Sequence, residues 1–397
     1  MHGIPKKLLH LMILLLFAGC INRNTITILV RNNSKIIRHS ETVTIPLIDL
    51  KSLNVRDFSA LAAKNTATGE CRPTQLIDRD RDGQKDALIF QADAAPFSGA
   101  RYQLIKVSDS GCKIDSSIST YSRFVPERID DYAWENDRVA FRMYGPEAQR
   151  LAQENNPEGI MSSGIDCWYK RVSYPIINKW YKKATDKTGS YHEDTGEGLD
   201  EYNVGSSRGC GGIGVWKDDS LYVSQNFTEH HTWETGPVRT SFELKYAPWN
   251  GGDIQISEKK EISLDLGSNL SRVEIDFDAP YPERIVAGLA LEPQKGIIKT
   301  DEKSGWFSYE MPQSDSEACF GIVADPKYVA GMEQFRSDLP EKSHLFVFLR
   351  PIDGKVVYYT GFGWKKSGQF ASGSEWENYL ANFAARLASP LEVEIKD

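Results

Sequence analysis

Apolar and polar residues alternate along most of the chain, which is the pattern of β-strands that bury one face. Short runs with this period of two recur over the whole sequence, at residues 25–30, 41–45, 138–144, 239–246, 261–266, 273–277, 285–291 and 356–359. Turn-forming residues such as Asn250-Gly251-Gly252 and Asp353-Gly354 separate several of them. Because helices do not alternate with these strands, the pattern predicts a predominantly all-β protein built from antiparallel sandwiches.

Two segments have helical spacing instead. One carries an apolar stripe at intervals of three and four residues and ends before Pro390, with Ser374 and Glu377 predicted to form a capping box. The stripe consists of Trp376, Tyr379, Leu380, Phe383, Ala384 and Leu387. The second helix follows Pro175 and places Ile176, Ile177 and Trp180 on one face. Both helices are expected to pack on the core.

The length of the chain and a change in composition suggest two regions. A chain of 397 residues and 44.7 kDa exceeds what one small core absorbs. Short strands, an Asp-rich loop and two cysteines occupy residues 20–120, which we interpret as a smaller N-terminal β region. Longer strands and most of the tryptophans follow in residues 121–397, which we interpret as a β-sandwich catalytic domain.

The first twenty residues have the features of an export signal. Lys6 and Lys7 precede a short apolar run, and Ala18-Gly19-Cys20 follows it. The cysteine after two small residues resembles a bacterial lipobox. Residues 1–19 are therefore predicted to be a lipoprotein signal peptide, with a lipid on Cys20 that tethers the exported protein to a membrane. The expected location is the periplasm or outer membrane of a Gram-negative bacterium.

Net charge and aromatic content indicate which kind of molecule the protein binds. A formal net charge of −8 argues against a nucleic-acid binder, which would carry a basic stripe. The 9 Trp and 17 Tyr instead suit the faces of sugars. Among the remaining five cysteines we expect a Cys71–Cys112 disulfide, and Cys167–Cys210 is a second possible pair. The absence of any CxxC spacing argues against a zinc ribbon.

An Asp-rich loop is the candidate metal site. Asp78, Asp80, Asp82 and Asp86 surround Gly83, and alternating carboxylates on a tight turn suit calcium. The twelfth position of an EF-hand would hold a Glu, but Ile89 stands there at the start of a strand-like run. We therefore expect a structural calcium site, the alternative being a polar Asp-Gly hairpin.

The candidate general base is His192. It lies in the glycine-rich segment 191–212, which is typical of an irregular loop that presents side chains. Imidazole is well suited to proton transfer near neutral pH. The alternative is a solvent-facing histidine without a role.

Two further segments carry candidate binding residues. In the first, His230 and His231 precede Trp233, and only one of these adjacent histidines can face a given cleft. Arg239 begins the next strand and could bind a carboxylate through its guanidinium, or form a surface ion pair.

The second segment is a strand in which Arg138, Arg142 and Tyr144 share one face beside Trp134 and Glu135. That face would make a floor for an anionic sugar, or a solvated sheet face.

Residues 134–146, together with Tyr191-His192 and the run 207–212, resemble a family of exported proteins from bacterial polysaccharide-utilisation loci, formerly described as a domain of unknown function. The opening at 32–41 and the Asp-rich loop share the resemblance. It implies a mutarotase-like antiparallel supersandwich. It also implies an oligosaccharide dehydratase, a carbon–oxygen lyase that acts on ulvan-type fragments.

Such an enzyme would remove water from the non-reducing-end uronic acid of an acidic oligosaccharide and leave a 4,5-double bond. Under this hypothesis His192 is the general base, and the general acid is Tyr202, His230 or His231. The arginines that would hold the carboxylate are Arg142, Arg208 and Arg239, and Glu135 and Trp233 would complete substrate binding. The chemistry itself calls for no cofactor.

Three alternatives fit the same residues. A polysaccharide lyase on the same scaffold would cleave the chain by the same elimination. A mutarotase-like enzyme would use His and Glu. A non-catalytic glycan-binding lipoprotein would need aromatic residues and arginines but no titrating histidine.

Overall fold

The structure is a computed structural model that describes residues 26–51, 53, 57–293, 295–313 and 315–396. The predicted signal peptide and Cys20 lie outside the described residues. Within them, no helix is both long and apolar enough to cross a membrane.

Strands make up most of the described chain. The N-terminal strands are β1 Ile26–Asn32, β2 Arg38–Pro46, β3 Leu61–Asn65, β4 Cys71–Ile77, β5 Ala87–Ala94 and β6 Ser98–Lys106. The next group is β7 Tyr121–Val125, β8 Asp131–Glu135, β9 Ala140–Met143, β10 Asp166–Lys170 and β11 Gly198–Leu199. The third group is β12 Cys210–Lys217, β13 Ser220–Tyr222, β14 Phe227–Glu234, β15 Arg239–Tyr246, β16 Trp249–Asn250, β17 Gln255–Ile256, β18 Glu258–Asp265 and β19 Leu270–Phe277. The last group is β20 Ile285–Ala290, β21 Ile297–Asp301, β22 Trp306–Pro312, β23 Glu317–Ala324, β24 Val329–Phe335, β25 His344–Leu349, β26 Lys355–Trp364 and β27 Glu392–Lys396. The helices are α1 Val107–Ser110, α2 Pro146–Gln153, α3 Ile177–Thr185 and α4 Gly373–Ala388.

The N-terminal strands form one seven-stranded sheet in the order β2-β5-β4-β3-β6-β1-β27. Its last member comes from the other end of the chain and pairs antiparallel with β1, from Thr27 opposite Lys396 to Arg31 opposite Glu392. Alternate residues of these strands build a separate apolar core. The Cys71–Cys112 disulfide is present, while Cys167, Cys210 and Cys319 are buried free thiols, so the second possible pair, Cys167–Cys210, is not formed.

A β-sandwich occupies the rest of the chain. One layer is an eight-stranded sheet in the order β14-β15-β18-β19-β26-β23-β22-β21. The facing layer consists of two five-stranded sheets, β11-β10-β9-β8-β7 and β13-β12-β20-β25-β24, joined by a parallel bridge between Ile165 and Gly209. Buried residues of both layers form one large core. The prediction of a predominantly β, antiparallel sandwich with a smaller N-terminal β region and a few helices is confirmed.

Both predicted helices are present on outer faces of the sandwich. Helix α4 buries Trp376 and Leu380 against the eight-stranded sheet. Its N-cap is Ser372, whose Oγ accepts from the Glu375 amide at 3.3 Å while Glu375 Oε2 accepts from the Ala371 amide at 2.9 Å. The predicted capping box at Ser374 and Glu377 was wrong by two residues, because the helix begins at Gly373.

Helix α3 covers the outer face of the five-stranded sheet that contains β8, β9 and β10. Trp180 and Tyr181 stack on Trp168 of β10, with ring centroids 5.3 and 5.0 Å apart. This face carries the candidate site.

Candidate active site

Three neighbouring strands place charged side chains on the outer face that α3 covers. Asp131 of β8, Arg142 of β9 and Asp166 of β10 lie on this face, and register sets Arg142 directly opposite Asp166. The loop after α3 adds Asp200. Arg142 Nη2 lies 2.5 Å from Asp166 Oδ2 and 3.0 Å from Asp200 Oδ2, and its Nη1 lies 3.7 Å from Asp131 Oδ2. We call these four side chains the Arg142 cluster.

Aromatic side chains enclose the Arg142 cluster. Tyr181 donates to Asp131 Oδ2 at 2.9 Å and Tyr144 donates to Asp166 Oδ2 at 3.1 Å. The Arg142 guanidinium lies over the rings of Tyr144 and Trp168, 5.1 and 5.2 Å from their centroids. Only 6% of the Arg142 side chain is exposed, so its charge is compensated by protein groups.

Burial dominates the acid–base behaviour of the Arg142 cluster. It raises the pKa of Asp131 to about 6 and that of Asp166 to about 7, against the opposing effect of Arg142. Burial also raises the pKa of Asp200, while Arg142 and Arg128 lower it. Asp131 and Asp166 therefore exchange protons near neutral pH, and the pKa of Asp200 is shifted in the same direction.

This arrangement predicts a pH-dependent stability. The pKa of Asp131 is about 6 in the folded chain against an ordinary 3.8, so the folded state binds more protons between these values. Its contribution to the free energy of unfolding is complete below pH about 4 and is lost as the pH rises through 6, a change of about 3 kcal/mol. Urea unfolding from pH 4 to 7 should therefore show a smaller loss of stability in Asp131→Asn than in the original protein. Equal losses would contradict this assignment.

His192 stands at the surface beside the Arg142 cluster. Its Nδ1 lies 2.8 Å from the backbone oxygen of Asp200 and 3.8 Å from Asp200 Oδ2. Because a carbonyl oxygen only accepts, the neutral form of this imidazole carries its hydrogen on Nδ1 and has its lone pair on Nε2. The side chain is 62% exposed, and Nε2 makes no hydrogen bond to the described part of the chain. His192 can therefore take a proton from a bound molecule.

The loop that carries His192 is anchored on both sides. Tyr191 is buried and stacks on Trp168, with ring centroids 5.2 Å apart. Gly198 pairs with Lys170 of β10 at a φ of +110°, and a Cβ there would lie 1.9 Å from the Tyr169 oxygen. Only glycine fits that close approach. The glycine-rich loop is thus held in place on both sides of His192 and exposes its imidazole.

Arg128 is a site residue that the sequence did not reveal. It ends the one-turn 3-10 helix Pro126–Arg128, and its Nε lies 3.4 Å from the Tyr191 hydroxyl oxygen. The ring centroid of Tyr191 lies 4.6 Å from that of His192. No described carboxylate lies within ion-pair distance of its guanidinium. The two residues after it, Ile129 and Asp130, have φ of 45° and 65°, a strained conformation for a β-branched residue. An unpaired, half-buried arginine thus lies beside the candidate base.

Glu135 lies on the same sheet face but is fully occupied. Its carboxylate accepts from the amides of Ile176 and Ile177 at the start of α3, at 2.8 to 2.9 Å, and pairs with Lys170 Nζ at 2.7 Å. Both side chains of the pair are 0% exposed. This environment makes Glu135 a helix anchor, with no surface left for a sugar.

Arg208 and Tyr202 lie in the sandwich interior. Arg208 Nη1 donates to Ser163 Oγ at 2.9 Å, and burial lowers the pKa of Arg208 to about 10. The Tyr202 ring packs 4.9 Å from Phe320 of the eight-stranded sheet. Both residues therefore point into the core, whereas His192 lies on the outer side of the same layer.

The remaining predicted residues lie on β14 and β15. His230 stacks on Phe124 at 4.2 Å, and partial burial lowers its pKa. His231 packs against Trp233 at 4.1 Å, so the adjacent histidines do face opposite ways. Arg239 forms a two-bond ion pair with Asp265 at 2.5 and 2.8 Å. Among the described residues, no contact joins these four side chains to His192 or Arg142.

The Asp-rich loop gathers three of its four aspartates. Carboxylate oxygens of Asp78, Asp80 and Asp82 all lie within 4.8 Å of one another. Asp86 instead accepts from the Arg79 amide at 2.7 Å. Asp78 is buried and receives the amides of Arg81 and Gly83, which shapes the turn. The three carboxylates offer oxygen donors, which is the type of ligand that calcium takes.

Comparison with solved structures supports the fold. Across 95% of this chain, the structure aligns with a protein in the glycosyl hydrolase family 38 from Enterococcus faecalis, with a TM-score of 0.51 and 11% sequence identity. The chain spans 48% of that protein. At this identity the likeness concerns the architecture only.

Comparison of sequences gives the family. An uncharacterized protein, P7, from Formosa agariphila is 43% identical over 384 residues, which are 96% of each chain. The model of a family described as a domain of unknown function, DUF4861, matches residues 30–393. The predicted relation to a family of that description is confirmed. The chain therefore belongs to the DUF4861 family.

Proposed function

We propose that this protein is a carbohydrate-active enzyme, an exported lipoprotein that removes water from the non-reducing-end uronic acid of acidic, ulvan-type oligosaccharides. The observation that carries the proposal is the unpaired Arg128 guanidinium beside an exposed imidazole of fixed tautomer. An arginine and a base are the two groups that elimination next to a carboxylate requires.

In the proposed reaction Arg128 pairs with the uronate carboxylate and stabilises the charge that develops on it. His192 Nε2 takes the C5 proton. The C5–H electrons form the 4,5-double bond as the bond to the 4-hydroxyl breaks, and the imidazolium returns its proton to the departing oxygen as water. The products are one water and a 4,5-unsaturated uronyl residue.

In the proposed reaction the Arg142 cluster holds His192 in position and does not contact the substrate. Arg142 holds the Asp200 carboxylate at 3.0 Å, and the backbone of Asp200 holds His192. We therefore propose a positioning role for Arg142 and substrate contact for Arg128. Glu135, enclosed by its own partners, Arg208, which points into the core, and Arg239, which has no contact with His192, have no part in the proposed step.

The direct test is to incubate the purified protein with saturated uronate-ended oligosaccharides and to follow ultraviolet absorbance and mass. Loss of one water without chain cleavage supports the proposal. Chain cleavage would identify a polysaccharide lyase, and a change of anomer alone a mutarotase. Binding without any reaction across a panel of acidic oligosaccharides would favour a glycan-binding protein.

We also propose that Asp78, Asp80 and Asp82 bind a structural calcium ion. Free calcium at a hundredfold excess over its Kd would stabilise the folded chain by about 2.7 kcal/mol. Chelation should therefore lower the Tm of the original protein by several degrees and leave that of an Asp80→Ala, Asp82→Ala double variant unchanged. Turnover below both transitions should stay the same, since the loop is remote from His192. A Tm indifferent to chelation in the original protein would refute calcium binding.

A further inference from the structure

A second cleft lies where the N-terminal sheet, the outer face of the eight-stranded sheet and helix α4 meet. It consists of two adjoining cavities of about 290 and 240 Å³, which share Arg239, Ser263 and Arg272 as lining residues. The larger one is bounded by β2 on one side and by the last turns of α4 on the other. The larger cavity by itself approaches the size of small-ligand sites.

The larger cavity has an excess of positive charge in a chain of net charge −8. Arg239, Arg272 and Arg386 line it, against the carboxylates of Glu41 and Asp265. Both carboxylates are already paired, Asp265 with Arg239 and Glu41 with Arg38 at 2.8 Å. Arg239 and Arg272 are paired in turn, with Asp265 and Glu274, so Arg386 is the arginine of this lining that has no described carboxylate partner.

Arg386 is the arginine left over. Its Nε is buried without a hydrogen-bond partner, and no carboxylate of the described chain lies within 4.0 Å of its guanidinium. A buried donor without a partner is costly, and a charged ligand would remove that cost. The guanidinium fork suits a carboxylate or a sulfate.

Aromatic rings form the adjacent wall of the cavity. Tyr359 and Tyr379 flank Phe383, with ring centroids 4.9 and 6.1 Å from it. All three rings are only partly buried. An apolar wall next to polar groups matches a sugar ring, which has an apolar face and a polar edge.

We propose that this cleft is a second, non-catalytic binding site for an acidic sugar unit, with the carboxylate or sulfate on Arg386 and the ring face on the aromatic wall. The site lies on the outer face of the eight-stranded sheet, whereas His192 lies on the outer face of the opposite layer. Binding here is therefore independent of the chemistry proposed at His192. An enzyme with both sites would hold a long acidic chain at one layer while it acts at the other.

The test measures binding by calorimetry in the His192→Ala protein, which keeps the cleft intact. The probes are a tetrameric oligogalacturonate, a sulfated carrageenan tetrasaccharide and neutral maltotetraose. The acidic probe that matches the site should bind and weaken with added salt, and maltotetraose should not bind. Arg386→Ala should weaken binding about tenfold or more, while Arg150→Ala, an exposed arginine on α2, should change nothing.

Hydrogen exchange locates the bound probe. Protection is expected at residues 39–42, 263–272 and 379–390. Protection confined to 126–131 and 191–200, equal affinity for maltotetraose, no binding of either acidic probe, or unchanged binding in Arg386→Ala would each overturn the proposal. Arg386→Gln, a second variant of similar volume, serves if the alanine variant fails to fold. Failure of the water-loss assay with protection at the cleft would refute the proposed function and leave this inference standing.

Discussion

Replacing His192 with alanine is expected to lower turnover by about a hundred- to ten-thousand-fold, the usual contribution of general-base assistance. The side chain is 62% exposed and makes one hydrogen bond, to the Asp200 backbone, so the fold should be retained. Single-turnover rates with a uronate-ended oligosaccharide, together with a melting curve, measure both effects.

The matched control for this variant is Glu193→Ala, which removes an exposed neighbour from the same loop. It should leave the rate within a few-fold of the original. Arg128→Ala should instead lower both affinity and turnover, because the carboxylate is held before and during the reaction. A His192→Ala protein that keeps the original rate would exclude His192 as the base.

Replacing Arg142 with alanine is expected to cost about 3–5 kcal/mol of stability, the typical effect of removing one partner of a buried ion pair. The loss should be larger than for other arginines because, at a pH where Asp131, Asp166 and Asp200 are ionised, their buried charges would lack the central cation. Denaturant unfolding gives the free energy directly.

This destabilisation should depend on pH in a defined direction. Without Arg142 the pKa values of the three carboxyls rise further, so they accept protons as the pH falls and the buried charge disappears. The cost should therefore be largest at pH 8 and smallest near pH 4. Arg150→Ala, whose side chain is 52% exposed, should cost less than about 1 kcal/mol at any pH. A pH-independent loss would show that the contacts of Arg142, not its charge, stabilise the site.

The sequence predicted the strands and helices of this protein better than the side-chain contacts between distant segments. Alternation located the strands of the sandwich, and helical spacing located α3 and α4, because one buried face imposes a period on the chain. The cap of α4 was misplaced, since Ser372 and Ser374 are equally good caps and only packing decides between them.

The candidate site was predicted in part, for a related reason. His192 and Arg142 could be chosen from the sequence because of their side-chain types. Their partners Asp131, Asp166 and Asp200 come from separate segments, which the pairing of the strands brings together. Arg128 was not among the residues predicted from sequence, because its place beside His192 depends on the turn at Ile129 and Asp130 and its lack of an ion-pair partner is visible only in the structure. Arg239 occupies the predicted strand, yet register places it opposite Asp265.

The pairing of β1 with β27 determines when the seven-stranded sheet can be completed during folding. Arg31 and Glu394 form an ion pair across 363 positions of sequence, so one edge of β1 stays open until β27 has been synthesised. Unpaired strand edges are templates for aggregation. Until β27 pairs with β1, that edge would have to be shielded from other chains, for instance by a holdase chaperone.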